Sequence, residues 1–295
     1  MSVKIKAIEL GGTLFVPASH KDLEHILSGE KYPELRSVVI DFEDGLSSSA
    51  RPEALKRLEV LLQALQETAL LRFVRPQDQQ MLKALLEVEG IEKVDGFILP
   101  KFGLDNAEAY LSLLPLASTS LSWHIMPSIE GRELFDIQQL QQLRDRLLPY
   151  QEQIICLRFG AQDMLRQLGL RQTGSIYDML VPRQVIANLI MTFRPYGFEI
   201  SAPVYPDFSD AEGFQKELTY ELRNGLVSKT IIHPRQIPLF NTCYKVDEQS
   251  LMSAEKILEE EDGLLNLEGS MGERKTQSSW AKSIKRRAET YGIRL

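Results

Sequence analysis

Eight short apolar runs alternate with helix-like stretches between residues 13 and 233, and no other feature of the chain constrains its fold as much. The runs are 13–17 (TLFVP), 37–43 (SVVIDFE), 70–75 (LLRFVR), 96–101 (GFILPK), 122–130 (SWHIMPSIE), 154–163 (IICLRFGAQD), 198–205 (FEISAPVY) and 229–233 (KTIIH). Runs of this length suit strands covered on both faces, whereas segments such as 54–65, 80–86 and 185–193 space their apolar residues as helices do. Strand and helix in eightfold alternation predict an α/β fold, the (β/α)8 TIM barrel. An open doubly wound sheet would use fewer strands and a glycine-rich first turn. Neither GxGxxG nor GxxxxGK[ST] occurs, which argues against dinucleotide and P-loop nucleotide binding.

After Pro234 the pattern changes. Residues 250–261 read as a helix, 262–275 as a glycine-containing linker and 278–291 as a basic helix. The expected division is a catalytic barrel over 1–241 and a helical extension, a potential lid, over 242–295. Of the net charge of −7, residues 270–295 carry +5 and the remainder −12. The basic segment is read either as a solvated helix or as a surface for an acidic partner, an anionic ligand or a second subunit. The acidic body disfavours nucleic acid as a partner. With 43% hydrophobic residues the chain can bury a sizeable core, yet no stretch approaches 18 uninterrupted apolar residues, so no membrane association is expected. The opening MSVKIKAIEL lacks the apolar core of a signal peptide, and the expected location is cytoplasmic. Two cysteines, Cys156 and Cys243, are too few for a disulfide framework; Cys156 reads as a buried small hydrophobe.

The apolar runs end in charge. The second ends in Asp41, Glu43 and Asp44; the third carries Arg72 and Arg75; the fourth ends in Lys101; the fifth ends in Glu130; the sixth carries Arg158 and ends in Asp163; the eighth ends in His233. A parallel barrel gathers such positions on one rim, where ionisable groups are costly unless they pair or bind a metal. Glu130 and Asp163, from adjacent strands, form the best metal pair: two carboxylates plus water and substrate oxygens suit Mg2+ or Mn2+. Zinc fits poorly, because His20, His25, His124 and His233 form no ligand motif. His124 reads as a core residue, and His233 either as a loop-holding residue or as a catalytic one. Arg72 is the expected anion clamp, since a guanidinium offers a bidentate fork. Arg72 and Val74 share one strand face and Arg75 the other; Arg72 is placed inward, with Arg75 as the alternative.

At these residues the sequence resembles the citrate lyase beta-subunit-like family of the HpcH/HpaI aldolase superfamily. The pieces, in family order, are LFVPAS (14–19), VVIDFEDGLSSSAR (38–51), LRF (71–73), VDGFILPK (94–101), PSIEGRELF (127–135), RFGAQDM (158–164) and KTIIHPRQI (229–237). The GGTLFVPASHKDL opening and APVYPDF (202–208) look most like the branch of TIM-barrel C–C bond lyases linked to tellurite-resistance gene clusters. The resemblance implies a Mg2+-dependent lyase or aldolase that makes or breaks a C–C bond of a 2-keto or 3-hydroxy acid, or its CoA thioester, through a metal-stabilised enolate. It implies Glu130 and Asp163 as metal ligands and Arg72 as the substrate-binding arginine. It also matches Asp41, Glu43 and Asp44 to the family's acidic cluster and Lys101 to its strand-four lysine. On this reading Glu43, Asp44 and Lys101 complete the catalytic set with Arg72, while Asp41 and Tyr205 join Arg72 on the substrate.

Three positions depart from the family pattern. Val74 replaces an asparagine, Ser201 an aspartate, and Gly269-Ser270-Met271-Gly272-Glu273 stands where CoA-dependent members carry a lid aspartate. The base is left open among a metal-bound water, Glu273 of another chain and Tyr205. A homo-oligomer, trimer or hexamer, is implied. The competing expectation is an anion-binding or assembly subunit that keeps the barrel without the chemistry; divalent-metal binding and turnover of a keto acid discriminate the two.

Overall fold

Eight parallel strands form where the apolar runs lie: β1 (Gly12–Pro17), β2 (Ser37–Asp41), β3 (Leu71–Arg75), β4 (Gly96–Leu99), β5 (His124–Ile129), β6 (Arg158–Phe159), β7 (Ser201–Ala202) and β8 (Val227–Ile231). The structure, a computed structural model, describes residues 4–44, 46–114, 123–260, 263–267 and 270–294. Ser122, at the start of the fifth run, lies outside the described residues. The strands neighbour one another in the order β6-β5-β4-β3-β2-β1-β8-β7. The remaining seam is bridged: Leu157 N donates to Glu199 O and Ser201 N to Leu157 O, each at 2.8 Å. The barrel is thereby closed, which leaves no strand edge to pair with another chain.

Helices α1 (Leu23–Leu27), α2 (Arg51–Ala64), α3 (Gln79–Leu86), α4 (Ala107–Leu113) and α5 (Ile137–Leu147) follow the first five strands in turn. Two helices, α6 (Ala161–Gln167) and α7 (Leu180–Phe193), follow β6, and α8 (Ala211–Arg223) follows β7. Aspartates start several of them: Asp78 accepts from Met81 N, Asp136 from Gln138 N and Asp210 from Gly213 N at 2.8–2.9 Å. Each satisfies amide groups that the first helical turn leaves without a partner.

Val39, Phe73, Ile98, Met126 and Cys156 belong to one buried cluster inside the barrel. Cys156 is fully buried and burial pushes its thiol up to about 11, so it is an inert hydrophobe, as expected from its apolar run. Side chains alternate along a strand, so Asp41 stands one layer above Val39 and Arg75 one layer above Phe73. Asp41 and Arg75 are register partners between β2 and β3. On the opposite side of β8, the buried Lys229 ammonium ties that strand to α8 through Glu217 (2.8 Å) and Glu221 (2.5 Å).

The chain divides into two compact units, Met1–Ile237 and Pro238–Leu295. The helix α9 (Gln236–Tyr244) leads from one to the other in sequence. The second unit contains β9 (Val246–Asp247), α10 (Glu248–Glu259), β10 (Leu264–Leu267), β11 (Ser270–Glu273), α11 (Arg274–Tyr291) and β12 (Ile293–Arg294). The expected loose linker over 262–275 is corrected here. Strands β10 and β11 form an antiparallel hairpin, because Leu265 and Leu267 pack on the cluster of Val246, Ala254, Ile257, Ala281 and Ile284. Asp262 and Gly269 lie outside the described residues. The basic helix α11 turns Ala281, Ile284 and Ala288 onto that cluster, the spacing of one helical face. No described helix is long and apolar enough to cross a membrane.

Candidate active site

A cavity of about 440 Å³ lies inside the barrel, lined by charged side chains from several strand ends. Asp41, Asp44, Arg75, Glu130, Arg158 and Asp163 all face it, together with Ser128, Gly160 and Thr230. Convergence of the strand ends on one rim, expected from the runs that end in charge, is what the fold delivers.

Arg75 stands at the centre of a ring of acids. Its Nε donates to Asp41 Oδ1 (2.7 Å) and its Nη2 to Asp41 Oδ2 (2.6 Å), a bidentate fork. The same guanidinium pairs with Glu43 at 2.8 Å and Asp44 at 3.1 Å. Lys101 closes the ring on the other oxygen of Glu43 at 2.7 Å. Burial pushes the Glu43 carboxyl up, opposed by the charges of Arg75 and Lys101. Lys101 itself is shifted upward, first by its hydrogen bond to Glu43. Lys101 also holds a left-handed backbone with φ +47°, rare for a residue with a Cβ and typical of positions where a fold stores strain beside a site.

Glu130 follows directly after β5, and Asp163 sits in the first turn of α6, just past β6. Glu130 is 5% exposed. Burial pushes its carboxyl up to about 7; a Ser128 hydrogen bond opposes this, and the nearby Glu43 and Asp163 carboxylates add to it. Gly160 makes the room: a Cβ there would lie 2.6 Å from Glu130 Cγ. Asp163 accepts from Arg166 Nη2 at 2.9 Å. Both carboxylates offer oxygen donors of the kind a hard divalent cation takes, and burial first, then the neighbouring carboxylates, disfavours the charged form of Glu130.

The raised value sets a pH dependence for metal-free protein. Glu130 binds its proton more tightly folded than unfolded, so this stabilisation is complete below about 4.5 and is lost as pH rises to about 7. The expected loss is about 3 kcal/mol. Urea unfolding in the presence of a chelator between pH 4.5 and 8 measures it, and Glu130→Gln should remove that component of the slope.

Arg72 is not in this cavity, which corrects its placement as clamp. Its Nε donates to Leu27 O (3.0 Å) and its Nη2 to Gln66 O (3.0 Å) and Thr68 Oγ1 (2.8 Å), all on the outer face of β3. Phe73 and Arg75 take the inner face, which forces Arg72 and Val74 outward against the helical layer. Arg72→Met should therefore cost roughly 2–3 kcal/mol in unfolding free energy by stranding buried carbonyls. Divalent-metal affinity in the same variant should stay within about twofold of wild type, because the lost contacts are structural hydrogen bonds; calorimetry beside urea unfolding checks both.

Tyr205 is corrected as well. Its hydroxyl donates to Asp210 Oδ2 at 2.5 Å, the carboxylate that also caps α8, and Val204 rather than Tyr205 lines the cavity. Burial, then that hydrogen bond, raises its phenol above the ordinary value, so the hydroxyl stays protonated and does not serve as the base. His233 stacks on Phe208 with ring centroids 4.4 Å apart and accepts from Arg235 N, so it holds its loop. His124 hydrogen-bonds Asp95 O at the start of β5, as a core histidine would. Glu273 lies in the second unit, where its carboxylate accepts from Thr276 at the start of α11. The apolar runs mark no role for Ser128, Thr13 or Thr230, whereas Gly160 carries a visible signal, a residue without a side chain at a charged strand end.

Comparison with known proteins agrees with the barrel fold. Residues 4–293 match the family described as C–C bond lyases of the TIM-barrel fold. The chain is 24% identical over 237 residues to (3S)-malyl-CoA thioesterase of Cereibacter sphaeroides, covering 78% of this chain and 75% of that protein. It is 25% identical over 252 residues to the mitochondrial citramalyl-CoA lyase of Rattus norvegicus, covering 77% and 70% respectively. Among solved structures, CitE from Mycobacterium tuberculosis in complex with magnesium, acetoacetate and coenzyme A superposes with a TM-score of 0.69 at 22% identity. That match covers 96% of this chain and 99% of the other. With a family match along nearly its whole length and a closed barrel whose charged side chains meet at one rim, this chain belongs to the C–C bond lyases of the TIM-barrel fold.

Proposed function

We propose that this protein breaks, or in reverse forms, the C–C bond beside the keto or hydroxy group of a small carboxylic acid or its CoA thioester, with Mg2+ held by Glu130 and Asp163. The observation that carries this reading is the convergence of Glu130, Asp163 and the Arg75 ring on one cavity. A volume of about 440 Å³ suits a small carboxylate. The donor set is oxygen only and supplies two protein ligands, which suits Mg2+, or Mn2+ in its stead, because these ions keep other positions for water and substrate oxygens. When bound, the ion would supply Lewis-acid charge next to the negative charge that develops as the bond breaks.

The chain's own residues do the rest. Asp41, Glu43 and Asp44 fix the Arg75 guanidinium, so its charge is oriented before substrate arrives and needs no reorganisation during the reaction. Lys101 pairs with Glu43 and lessens the ring's repulsion of an anionic substrate. Gly160 leaves room for the Glu130 side chain, which a Cβ there would strike. The test is a panel of 3-hydroxy acids and their CoA thioesters assayed for keto-acid release with and without Mg2+. Metal-dependent release from at least one is expected. Mg2+ binding without turnover of any of them, in either direction, would favour the anion-binding or assembly subunit instead.

A further inference from the structure

Arg158 is the other guanidinium in the cavity, and its surroundings are unlike those of Arg75. It starts β6 and is 3% exposed. Its Nη1 donates to Thr230 Oγ1 (3.0 Å), its Nη2 to Thr13 Oγ1 (2.7 Å) and its Nε to the sulfur of Met126 (3.4 Å). These partners belong to β8, β1 and β5, so the side chain lies across the barrel lumen. Among the described residues all of its partners are neutral, and no carboxylate lies within ion-pair distance. Three of the five N–H groups are engaged, one of them by a soft sulfur, which leaves one on each terminal nitrogen.

Arg75, by contrast, is held by three carboxylates, those of Asp41, Glu43 and Asp44. Both guanidinia lie near the ring of Phe15, Arg75 at 5.1 Å and Arg158 at 5.5 Å from its centroid. A buried cation without a counter-ion is costly, and a guanidinium stays charged at any relevant pH. The cavity therefore holds one cation committed to the protein's own acids and one, lower in the barrel, still able to take an anion.

We propose that Arg158 is a substrate-reading residue that binds a second carboxylate of the substrate, so the site selects short keto dicarboxylates over monocarboxylates. This rests on the reading that Glu130 and Asp163 hold the keto-acid end through the metal. The layer spacing fits. Arg158 is the register partner of Ser128, and Glu130 lies two residues further along the chain, just past the end of β5. Two residues of strand rise are about 7 Å, the scale of a four-carbon diacid laid between the layers. The free edge of the guanidinium supplies the bidentate contact that a carboxylate accepts best.

The experiment titrates the full-length protein, loaded with Mg2+, with oxaloacetate and with pyruvate by calorimetry, and repeats both with Arg158→Met. Wild type should bind oxaloacetate about tenfold or more tighter than pyruvate, the scale of one charge-assisted contact. Arg158→Met should lose that preference while its affinity for Mg2+ alone is unchanged. If Arg158→Met does not fold, Arg158→Lys, which keeps a charge and loses the fork, should lose most of the preference. A wild type that binds Mg2+ and pyruvate without preferring oxaloacetate, or a folded variant that keeps the full preference, overturns the role of Arg158 and leaves the proposed function standing. A wild type that binds neither Mg2+ nor either acid overturns both.

Discussion

Asp163→Asn should bind Mg2+ at least about 100-fold more weakly than wild type and lose essentially all metal-dependent turnover, with its fold retained. Substitution of groups that merely support a metal ligand costs about 10- to 100-fold in affinity, and a direct ligand should cost more. An amide is nearly isosteric with the carboxylate but carries no charge, so a hard cation loses half of the anionic protein donors provided by Glu130 and Asp163. Asp163 sits in the first turn of α6, and its side chain accepts from the exposed Arg166, so few structural contacts are lost. Removing one of two crowded carboxylates also relieves Glu130, whose carboxyl should move back down from about 7. The metal-free variant should therefore be as stable as wild type or slightly more so above neutral pH. Calorimetric Mg2+ titration with thermal unfolding reads both effects. Unchanged Mg2+ affinity would remove Asp163 from the metal site.

Arg75→Lys should fold, keep its metal and lose about 10- to 1000-fold in turnover, the scale of one preorganised electrostatic donor. Lysine preserves the charge, but a single ammonium cannot reproduce the fork to Asp41 and also reach Glu43 and Asp44. Asp41 and Glu43 are buried, so one of them is left incompletely paired at a cost of about 2–3 kcal/mol. Turnover and urea midpoint in the same preparation separate the two losses. The matched control is Arg72→Lys, whose kcat should stay within about threefold of wild type because Arg72 holds backbone carbonyls behind the barrel wall. Full activity in Arg75→Lys beside an inactive Arg72→Lys would return the clamp to Arg72.

The exchange of Arg72 for Arg75 shows what a barrel sequence conceals. Apolar alternation reveals the inner face of a strand only when the outer face is wet, and a parallel barrel buries both. In Leu71-Arg72-Phe73-Val74-Arg75 each face carries one arginine and at least one apolar residue, so a shift of one residue exchanges their roles. The register partner of Arg75 is Asp41, a pairing across two strands that no single run discloses. Glu130 and Asp163 were legible because each ends an apolar run, and chain direction alone then sends them to the same rim. Tyr205 misled for a related reason: its run ends beside the cavity, yet the acid that claims its hydroxyl, Asp210, belongs to the next helix start. The hairpin of β10 and β11 was hidden by its glycines and charges, and only Leu265 and Leu267 betray a side that packs. Arg158 was visible as a charge in an apolar run, but its two threonine partners come from β1 and β8, far off in sequence.

The most direct measurement is anomalous diffraction from crystals of the full-length protein soaked in Mn2+, which scatters strongly and accepts the same donors as Mg2+. The expected result is a single strong peak inside the barrel, about 2.0–2.2 Å from one oxygen each of Glu130 and Asp163, and absent from Asp163→Asn crystals. Full occupancy at any other place, or no peak between these two carboxylates at saturating Mn2+, would contradict a metal-dependent lyase site at this rim.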